Sequence, residues 1–417
     1  MIFNEKANAI VGQSGGPTTA INATLAGVIS AAVSSDKIEV IYGARNGVEG
    51  MLRDDIINLS KIFECEEKGD KLKRLSATPA AALGSCRLKL PKTEDAENNE
   101  KYIKLFDFFK KNNIRYFFYI GGNDSMDTVS KLSSVCKYFD WDMNFVGVPK
   151  TIDNDLVVTD HTPGYGSAAK FIATVISEML CDTAVYTVKA VTIVEIMGRD
   201  TGWLTVASAL ASVNTGVAPD YIYLPERDFD YDEFFADIEE AFKKHPNILI
   251  AVSEGLHFAD GRLVGEGKQN GATDAFGHKY LEGTGKALES AIKERFGCKV
   301  RSVELNLPQR CAAHIASKTD IDESFGVGSA AVNASVSGES DCMMCIIRND
   351  GKVYGVSYKP VSVSDVANKV KYVPSDFIND AGNGITEKAL EYMLPLVNGE
   401  APYYTKNGLP EFFTLSF

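Results

Sequence analysis

Two carboxylates stand two residues apart at the end of an apolar run. They are Asp153 and Asp155 in the stretch GVPKTIDND, and Lys150 stands just ahead of them. Transfer of a phosphoryl group to an alcohol needs a carboxylate that accepts the hydroxyl proton. It also needs a hard cation to neutralise the phosphates, and Mg²⁺ prefers oxygen ligands. The spacing predicts a phosphoryl-transfer site in which the aspartates divide these tasks, with an Asx-rich turn as the structural alternative.

Glycine-rich turns elsewhere in the chain are suited to phosphate. The stretch GQSGGP places Gly15 and Gly16 between a predicted strand and a predicted helix. Glycine lets backbone N–H groups approach phosphate oxygens there, and a helix N-terminus favours negative charge. The stretch YIGGNDS puts Asn123 and Asp124 at a second junction of this kind, where helix capping is the structural alternative.

Three arginines and a glutamate complete the set of candidate ligands. Arg199 follows an apolar run in MGRDTGW, and Arg301 and Arg310 are the first and last residues of RSVELNLPQR. Arginine pairs with phosphate through two hydrogen bonds. Glu254, in SEG, can accept hydroxyl groups of a sugar. Each arginine alone is more often part of a surface ion pair, but three of them in one chain with TIDND favour a phosphorylated small substrate.

The elements that must position these residues alternate between apolar strands and amphipathic helices. Strands are predicted at 7–13, 38–44, 115–122, 143–150, 190–198, 248–255 and 300–307, with helices between them. Short apolar strands joined by helices predict parallel sheets covered on both faces, and this many elements require two such units. Ligands lie beyond the carboxyl ends of such strands, where the candidate residues fall. The polar ranges 64–104 and 259–276 are predicted to form loops or insertions.

The composition limits the functions that remain. The chain has 417 residues and a net charge of −13, which disfavours a nucleic-acid surface. No apolar stretch reaches the ~18 residues that span a bilayer, and the N-terminus does not resemble a signal peptide. Eight cysteines without regular spacing fit a reducing cytoplasm. The one C-x-x-C, Cys342 to Cys345, is predicted to be two core residues and not a zinc site.

The candidate stretches together resemble the phosphofructokinase family. They are SGGPTTAIN (14–22), LGSCR (83–87), GGNDS (121–125), PKTIDND (149–155), EIMGRDTGW (195–203), SEG (253–255) and PQR (308–310), in the family's order. The resemblance implies two doubly wound (Rossmann-like) αβα domains that face each other across a cleft. Residues 1–163 with roughly 311–358 would bind the phosphoryl donor, and residues 164–310 with roughly 359–417 would bind the sugar phosphate.

The resemblance also implies a reaction and a setting. The family transfers a phosphoryl group to the 1-hydroxyl of fructose 6-phosphate, with Mg²⁺, and this step of glycolysis gives fructose 1,6-bisphosphate. With pyrophosphate as the donor, the reaction is expected to be reversible. The family completes its sugar site with residues from a neighbouring subunit. We therefore expect a cytoplasmic homodimer or homotetramer with no nucleic-acid or membrane partner.

The family's pattern gives each candidate residue a role. Asp153 is the proton acceptor, and Lys150, Asp124 and Arg199 assist it in catalysis. Asp155 and Asn123 are the candidate metal ligands. The donor contacts are Gly15, Gly16, Arg87, Asp124 and Lys150. The substrate contacts are Thr151, Ile152, Asp153, Met197, Gly198, Arg199, Glu254, Arg301, Leu307, Arg310 and Lys189.

Three positions depart from the family's pattern. Asn123 stands where the family usually has an aspartate, so the amide offers one oxygen but no charge. Lys189, beside Ala190, stands near the position of an arginine that the family often donates across a subunit contact. Leu307 stands where many members have histidine or tyrosine. A phosphate-binding subunit without activity is the alternative, and Asn123 and Ala190 are its only support.

The identity of the donor depends on two positions. ATP-using members resemble GGDGS and PGTIDND, with glycine where this chain has Asp124 and Lys150. This combination resembles the pyrophosphate-dependent branch, as does the tryptophan in MGRDTGW. A carboxylate at 124 fills the space of the α-phosphate of ATP and repels a third phosphate group, and Lys150 can reach both Asp124 and the leaving phosphate. ATP as the donor, or sedoheptulose 7-phosphate as the acceptor, remains the alternative.

A dinucleotide-dependent oxidoreductase is a further alternative. The stretch GYGSAA (164–169) fits the pattern G-x-G-x-x-A, which is weak by itself. It follows a polar loop, and no acidic residue ends a clear strand about twenty residues later. A closely packed helix start is therefore the better interpretation of this stretch.

Overall fold

A computed structural model describes residues 1–63, 67–266 and 283–415. The strands are β1 Ala7–Gln13, β2 Ile38–Ala44, β3 Ile56–Asn58, β4 Ile114–Gly121, β5 Asn144–Pro149, β6 Ala190–Ile196, β7 Tyr221–Tyr223, β8 Asn247–Ser253, β9 Lys299–Glu304, β10 Cys342–Arg348, β11 Val356–Ser362, β12 Thr405–Lys406 and β13 Leu409–Pro410. The α-helices are α1 Ile21–Ser34, α2 Gly47–Leu52, α3 Leu59–Phe63, α4 Lys68–Ser76, α5 Glu100–Lys111, α6 Asn123–Val135, α7 Tyr165–Thr183, α8 Trp203–Val206, α9 Ser212–Thr215, α10 Tyr231–Lys244, α11 Thr284–Phe296, α12 Pro308–Cys311, α13 Lys318–Val336 and α14 Glu387–Met393.

The first sheet has the strand order β11-β10-β5-β4-β1-β2-β3. Its strands pair in parallel except at the two edges, where β11 and β3 run antiparallel to β10 and β2. Helices α1 and α13 cover one face, and α5 and α6 cover the other. The central strands β1, β4 and β5 are buried almost throughout because both faces of the sheet are covered.

Glycine allows α1 and α13 to pack closely on the first sheet. A Cβ atom at Gly27 would lie 2.0 Å from the carbonyl oxygen of Phe325, and one at Gly328 would lie 2.2 Å from that of Thr24. Any side chain at either position would therefore push the two helices apart. Apolar side chains of both helices join one core cluster with the sheet beneath them.

The second sheet has four parallel strands in the order β7-β8-β6-β9. Helices α7 and α8 pack on one face, and α10 and α11 pack on the other. The polar side chain of Asp230 accepts hydrogen bonds from the backbone N–H groups of Asp232 and Glu233, and this cap begins α10. The prediction of doubly wound α/β architecture is confirmed.

All seven predicted strands are strands in the structure, within a few residues at their ends. The range 64–104, which was predicted to form loops or insertions, contains α4 and the start of α5. The many charges of α4 obscured Leu72 and Leu75, which are buried in the same core cluster as α1. Of the predicted insertion 259–276, residues 267–276 lie outside the described part of the chain. The helical periodicity also predicts a helix around 278–296, which is α11 from Thr284 in the structure, and residues 278–282 lie outside the described part as well.

The two cysteines of the C-x-x-C stretch are core residues, as predicted. Cys342 and Cys345 are buried, unpaired thiols on β10. The proposed domain boundary near 358 falls inside β11, which pairs with β10 along its whole length, so the first sheet continues to Ser362. The rest of the domain division stays a prediction. Among the described residues, no helix combines the length and the apolar character needed to cross a membrane.

Candidate active site

A cleft of about 360 Å³ lies at the carboxyl ends of strands from both sheets. The loops that line it follow β1, β4, β5, β6 and β8. The lining residues are Gly15, Gly16, Pro17, Thr18, Arg87, Asp124, Lys150, Thr151, Ile152, Asp153, Asp155, Met197, Gly198, Arg199, Asp200, Thr201, Glu254 and Arg310. The structure thus brings most of the predicted site residues together. Pro17, Thr18, Asp200 and Thr201 were missed, although each lies within a stretch that the sequence already indicated.

The glycine turn after β1 is packed against Lys150. Gly15 has a φ of +76°, and a Cβ atom there would lie 3.2 Å from the Lys150 Nζ. The buried Lys150 ammonium donates a hydrogen bond of 2.6 Å to the carbonyl oxygen of Gly16. The Gly15 N–H also donates to the Cys86 carbonyl oxygen at 3.1 Å, which holds the neighbouring Arg87 at the cleft. Glycine is required here by both the left-handed backbone and the close approach of the lysine.

Three cations gather at this end of the cleft. The pKa of Lys150 is lowered to about 8, chiefly by burial and also by the nearby charges of Arg310 and Arg87, while Asp153 and Asp155 oppose the shift. Burial also lowers the pKa of Arg310, and Arg87 adds to the effect. Cations that lower one another's pKa are stabilised by an anion placed between them. The arrangement is suited to phosphate groups.

The two aspartates of TIDND occupy the middle of the cleft. Burial raises the pKa of Asp153, while the Thr151 hydroxyl, which donates to its Oδ2 at 3.2 Å, has the opposite effect. Burial and the charge of Asp153 raise the pKa of Asp155 to about 7. The Asp155 Oδ1 atom is buried and has no hydrogen-bond partner among the described residues. A buried carboxylate oxygen of this kind is suited to a cation that arrives with the substrate.

The loop after β6 forms the opposite wall. Gly198, with a φ of +140°, donates its N–H to the Glu254 Oε1 at 3.3 Å, and its carbonyl oxygen accepts a short hydrogen bond from the Ser253 hydroxyl. Burial raises the pKa of Glu254. The Arg199 Nε is buried without a hydrogen-bond partner in the described part of the chain. An oxygen of a bound substrate would satisfy this donor.

Asp124 is at the cleft, but its partner is a lysine that the sequence did not indicate. The Asp124 Oδ1 lies 3.2 Å from the Lys89 Nζ. Among the described residues, no ion pair joins Asp124 to Lys150, contrary to the expected contact. In the sequence, the one indication of Lys89 is that it stands two residues after Arg87, which was itself a predicted donor contact.

Asn123 does not reach the cleft. Its Oδ1 accepts a hydrogen bond of 2.7 Å from the Asn368 N–H, and its Nδ2 donates one of 2.6 Å to the Lys369 carbonyl oxygen. Both ends of the amide are therefore occupied by backbone groups of another segment. This geometry corrects the expectation that Asn123 is a metal ligand.

Arg301, Lys189 and Leu307 also do not line this cleft. Arg301 lines a small hollow at the amino-terminal ends of β6, β8 and β9, at the far end of the second sheet. The Lys189 Nζ lies 4.8 Å from the centre of the Phe242 ring. Leu307 precedes α12 and is 51% exposed. Arg301 is near the start of β9. Because β9 is parallel to β6, this residue lies at the end of the sheet opposite the cleft.

The fold and the cleft together define a class of protein. It is a doubly wound α/β protein with a cleft that presents several cations, two buried aspartates and an unpaired arginine donor to one ligand. Cations of this kind bind phosphate groups, and a buried carboxylate beside them can accept a proton from a hydroxyl.

Comparison with known proteins places the chain within this class. The family model described as Phosphofructokinase matches residues 8–334, and the chain belongs to the phosphofructokinase family. The pyrophosphate--fructose 6-phosphate 1-phosphotransferase of Xanthomonas campestris is 41% identical over 98% of this chain and 96% of its own. The protein of the same name from Halomonas elongata is 40% identical over 97% of this chain and 95% of its own.

A solved structure gives the same result. The crystal structure of a pyrophosphate-dependent phosphofructokinase from Nitrosospira multiformis is similar to this fold with a TM-score of 0.86. The two sequences are 38% identical, and the match covers 98% of this chain and 96% of the other. The similarity therefore includes both sheets and the cleft.

Proposed function

We propose that the protein transfers a phosphoryl group from pyrophosphate to the 1-hydroxyl of fructose 6-phosphate. The products are phosphate and fructose 1,6-bisphosphate, and the reaction is reversible. The single observation that carries this proposal is the buried Lys150, which fills the donor end of the cleft beside the Gly15 turn. The relatives that match nearly the whole chain have names with the same donor and acceptor.

Asp153 acts as the general base. It accepts the proton of the 1-hydroxyl while the oxygen forms a bond to the phosphorus atom and the bond to the leaving phosphate breaks. Burial raises the pKa of Asp153 and so makes it a stronger base than an exposed aspartate. Lys150 and Arg87 stabilise the charge that develops on the donor, and such preorganised contacts are a common source of rate. Arg199, Glu254 and Arg310 orient the sugar phosphate.

Mg²⁺ fits the residues at this site. Mg²⁺ is usually held by one or two carboxylates together with substrate phosphates, and it neutralises their charge. The buried, unpartnered Oδ1 of Asp155 offers such a ligand, and Asp153 lies beside it. Among the described residues, no cluster of three or more histidine, cysteine or acidic side chains could hold a metal by itself. Asp155 is therefore the proposed metal ligand of this chain.

The choice of donor follows from the space and charge at the donor end. The Lys150 ammonium lies within hydrogen-bonding distance of the Gly15–Gly16 turn. The Asp124 carboxylate stands at the same end, where it forms an ion pair with Lys89, and it would repel a third phosphate group. Pyrophosphate needs less room than ATP and brings no α-phosphate to this position.

We propose that a second copy of the chain completes the sugar site. Arg301 and Lys189 lie at the far end of the second sheet, where they can serve a neighbouring subunit. A homodimer or homotetramer is the assembly that makes use of them. The unpaired, buried thiols of Cys342 and Cys345 suit an enzyme of cytoplasmic glycolysis.

Initial rates with two donors, measured side by side, test the proposed function. With Mg²⁺ and fructose 6-phosphate, pyrophosphate should support formation of fructose 1,6-bisphosphate, and ATP should not. Sedoheptulose 7-phosphate in a parallel reaction tests the acceptor. Activity with ATP and none with pyrophosphate would contradict the proposal, as would no activity with either donor.

A further inference from the structure

A segment near the carboxyl end of the chain joins three loops of the active site. It comprises residues 368–373, which we call the strap. Its first residues hold both ends of the Asn123 amide, at the loop after β4. Its later residues contact the loop after β5 and the loop after β6. These three loops carry the donor-side, base and sugar-side residues of the cleft.

Lys371 is the residue of the strap that enters the base loop. Its Nζ donates to the Asn154 Oδ1 at 3.1 Å, to the Thr159 carbonyl oxygen at 3.2 Å and to the Asp160 carbonyl oxygen at 2.8 Å. The three donors of the ammonium are thus matched by three oxygens of one loop. Asn154 stands between Asp153 and Asp155 and has a φ of +51°. The lysine therefore holds a residue in a left-handed conformation between the two catalytic carboxylates.

The backbone of the strap connects this loop to the sugar side. The Lys371 N–H donates to the Asp155 carbonyl oxygen at 2.8 Å, and the Lys371 carbonyl oxygen accepts from the Trp203 indole at 2.8 Å. The Val373 N–H donates to the Glu226 carboxylate at 3.0 Å. The same carboxylate accepts from the Gly202 N–H at 2.9 Å. The base loop and the sugar loop are therefore fixed to one short piece of chain.

We propose that Lys371 is a positioning residue for phosphoryl transfer, because its ammonium fixes the orientation of Asp153 and Asp155 through Asn154. This inference rests on the proposed function of the cleft and adds a residue that no motif of the chain indicates. Lys371 does not line the cleft, so it acts through the loop and not on the substrate. A displacement of about 1 Å at reacting groups can cost about 100-fold in rate.

The variant Lys371→Met tests the proposal because it keeps the length of the side chain and both backbone hydrogen bonds. The expected result is a kcat lower by about 100-fold. The dissociation constant for fructose 6-phosphate, measured by calorimetry, should change by less than about threefold, because the sugar-side contacts remain. A loss in kcat without a loss in binding is the signature of misplaced catalytic groups.

Lys170→Met is the matched control. The Lys170 Nζ also bonds the carboxyl-terminal part of the chain, at the Gly399 carbonyl oxygen and the Glu400 carboxylate, and not at an oxygen of the base loop. Its side chain is only 15% exposed. Loss of Lys170 should lower the melting temperature to a similar extent and leave kcat within about twofold. An equal loss of kcat in both variants would overturn the proposal.

If Lys371→Met does not fold, the variant Asn154→Gly tests the same positioning role. Glycine accepts the left-handed backbone at this position and removes the side chain that Lys371 holds. It should lower kcat and preserve binding of fructose 6-phosphate. A wild-type kcat in whichever variant folds would overturn the inference. Wild-type protein that is inactive with every donor would instead contradict the proposed function.

Discussion

At the scale of single residues, the cleft combines groups whose ionisation is set by their neighbours. Burial raises the pKa of Asp153, and burial together with the charge of Asp153 raises the pKa of Asp155. Lys150 is buried among other cations, and this lowers its pKa. The same burial that perturbs these groups also excludes water, so their charges interact strongly with the charges of a bound donor. The catalytic predictions belong to this scale.

Asp153→Asn should remove the base and keep the shape of the side chain. The expected kcat is lower by about 10²–10⁴-fold, because the amide cannot accept the hydroxyl proton. Binding of fructose 6-phosphate should persist, since Arg199, Glu254 and Arg310 remain. Steady-state rates and calorimetry measure the two effects. A variant with more than a tenth of the wild-type kcat would exclude Asp153 as the base.

The pH dependence of kcat/KM should be bell-shaped. The acidic limb should have its midpoint near pH 7, because Asp155, with a pKa of about 7, must lose its proton to bind a cation. The alkaline limb should fall near pH 8, because Lys150, with a pKa of about 8, must keep its proton to stabilise the donor. Rates corrected for ionisation of the donor check both limbs. In Lys150→Arg the alkaline limb should move to higher pH, and an unmoved limb would remove Lys150 from the assignment.

The pair Asp124→Gly and Lys150→Gly tests the origin of donor choice. Activity with pyrophosphate should collapse in the double variant, since loss of one such charge contact costs about 10²–10³-fold in kcat. Lys89→Met is the informative companion, because it removes the partner of Asp124 and leaves both residues in place. Initial rates with each donor make the comparison. Undiminished activity with pyrophosphate in the double variant would leave donor choice without this explanation.

At the scale of elements, the site depends on how closely the helices cover the sheets. The turn after β1 leads directly into α1, and α1 packs against α13 through glycine on both sides. The position of the phosphate-binding turn is therefore coupled to a contact between helices that are about three hundred residues apart in sequence. The strap adds a second long-range connection at the same cleft.

Gly27→Ala should destabilise the protein by about 1–3 kcal/mol, because its Cβ would collide with the Phe325 carbonyl oxygen. Gly69→Ala is the control within α4. A Cβ there meets no atom within 4 Å, and alanine should raise the free energy of unfolding by up to about 1 kcal/mol. Chemical denaturation measures both changes. Equal stability of the two variants would be evidence against tight packing of α1 on α13.

At the scale of the whole molecule, two cations expected at the sugar site do not line the cleft of the same chain. Arg301 and Lys189 carry charges suited to phosphate, yet both lie at the far end of the second sheet. In the proposed symmetric dimer, such a surface would lie against the cleft of the partner in both directions. In this arrangement, the sugar site would be complete only when two subunits assemble.

Mixing two impaired variants, one with a lower kcat and one with a higher KM, tests this arrangement. Arg301→Met should raise the KM for fructose 6-phosphate by about tenfold or more, while Lys299→Met on the same strand should not. Asp153→Asn subunits mixed with Arg301→Met subunits should regain activity, because one site of the mixed dimer contains both native residues. Rates after subunit exchange measure the recovery. Mixtures no more active than the sum of their parts would show that Arg301 does not act across an interface.

Much of the site could be predicted because its residues follow strands. Gly15, Asp153, Arg199 and Glu254 each stand just beyond an apolar run, and parallel strands bring their carboxyl ends to one edge. The same rule could not place Arg301, which lies near the start of its strand. It also could not reveal that the Asn123 amide is held by residues 368–369.

The sequence by itself determined the strands, the α/β class and the chemical groups of the cleft, because each depends on local order and short-range periodicity. The tertiary structure alone decided that Lys371 meets Asn154, 217 residues away, that Asp124 pairs with Lys89, and that Arg301 faces away from the cleft. Such contacts depend on how distant segments pack against one another. No local pattern encodes them, because many pairs of charged and polar residues would satisfy the same pattern.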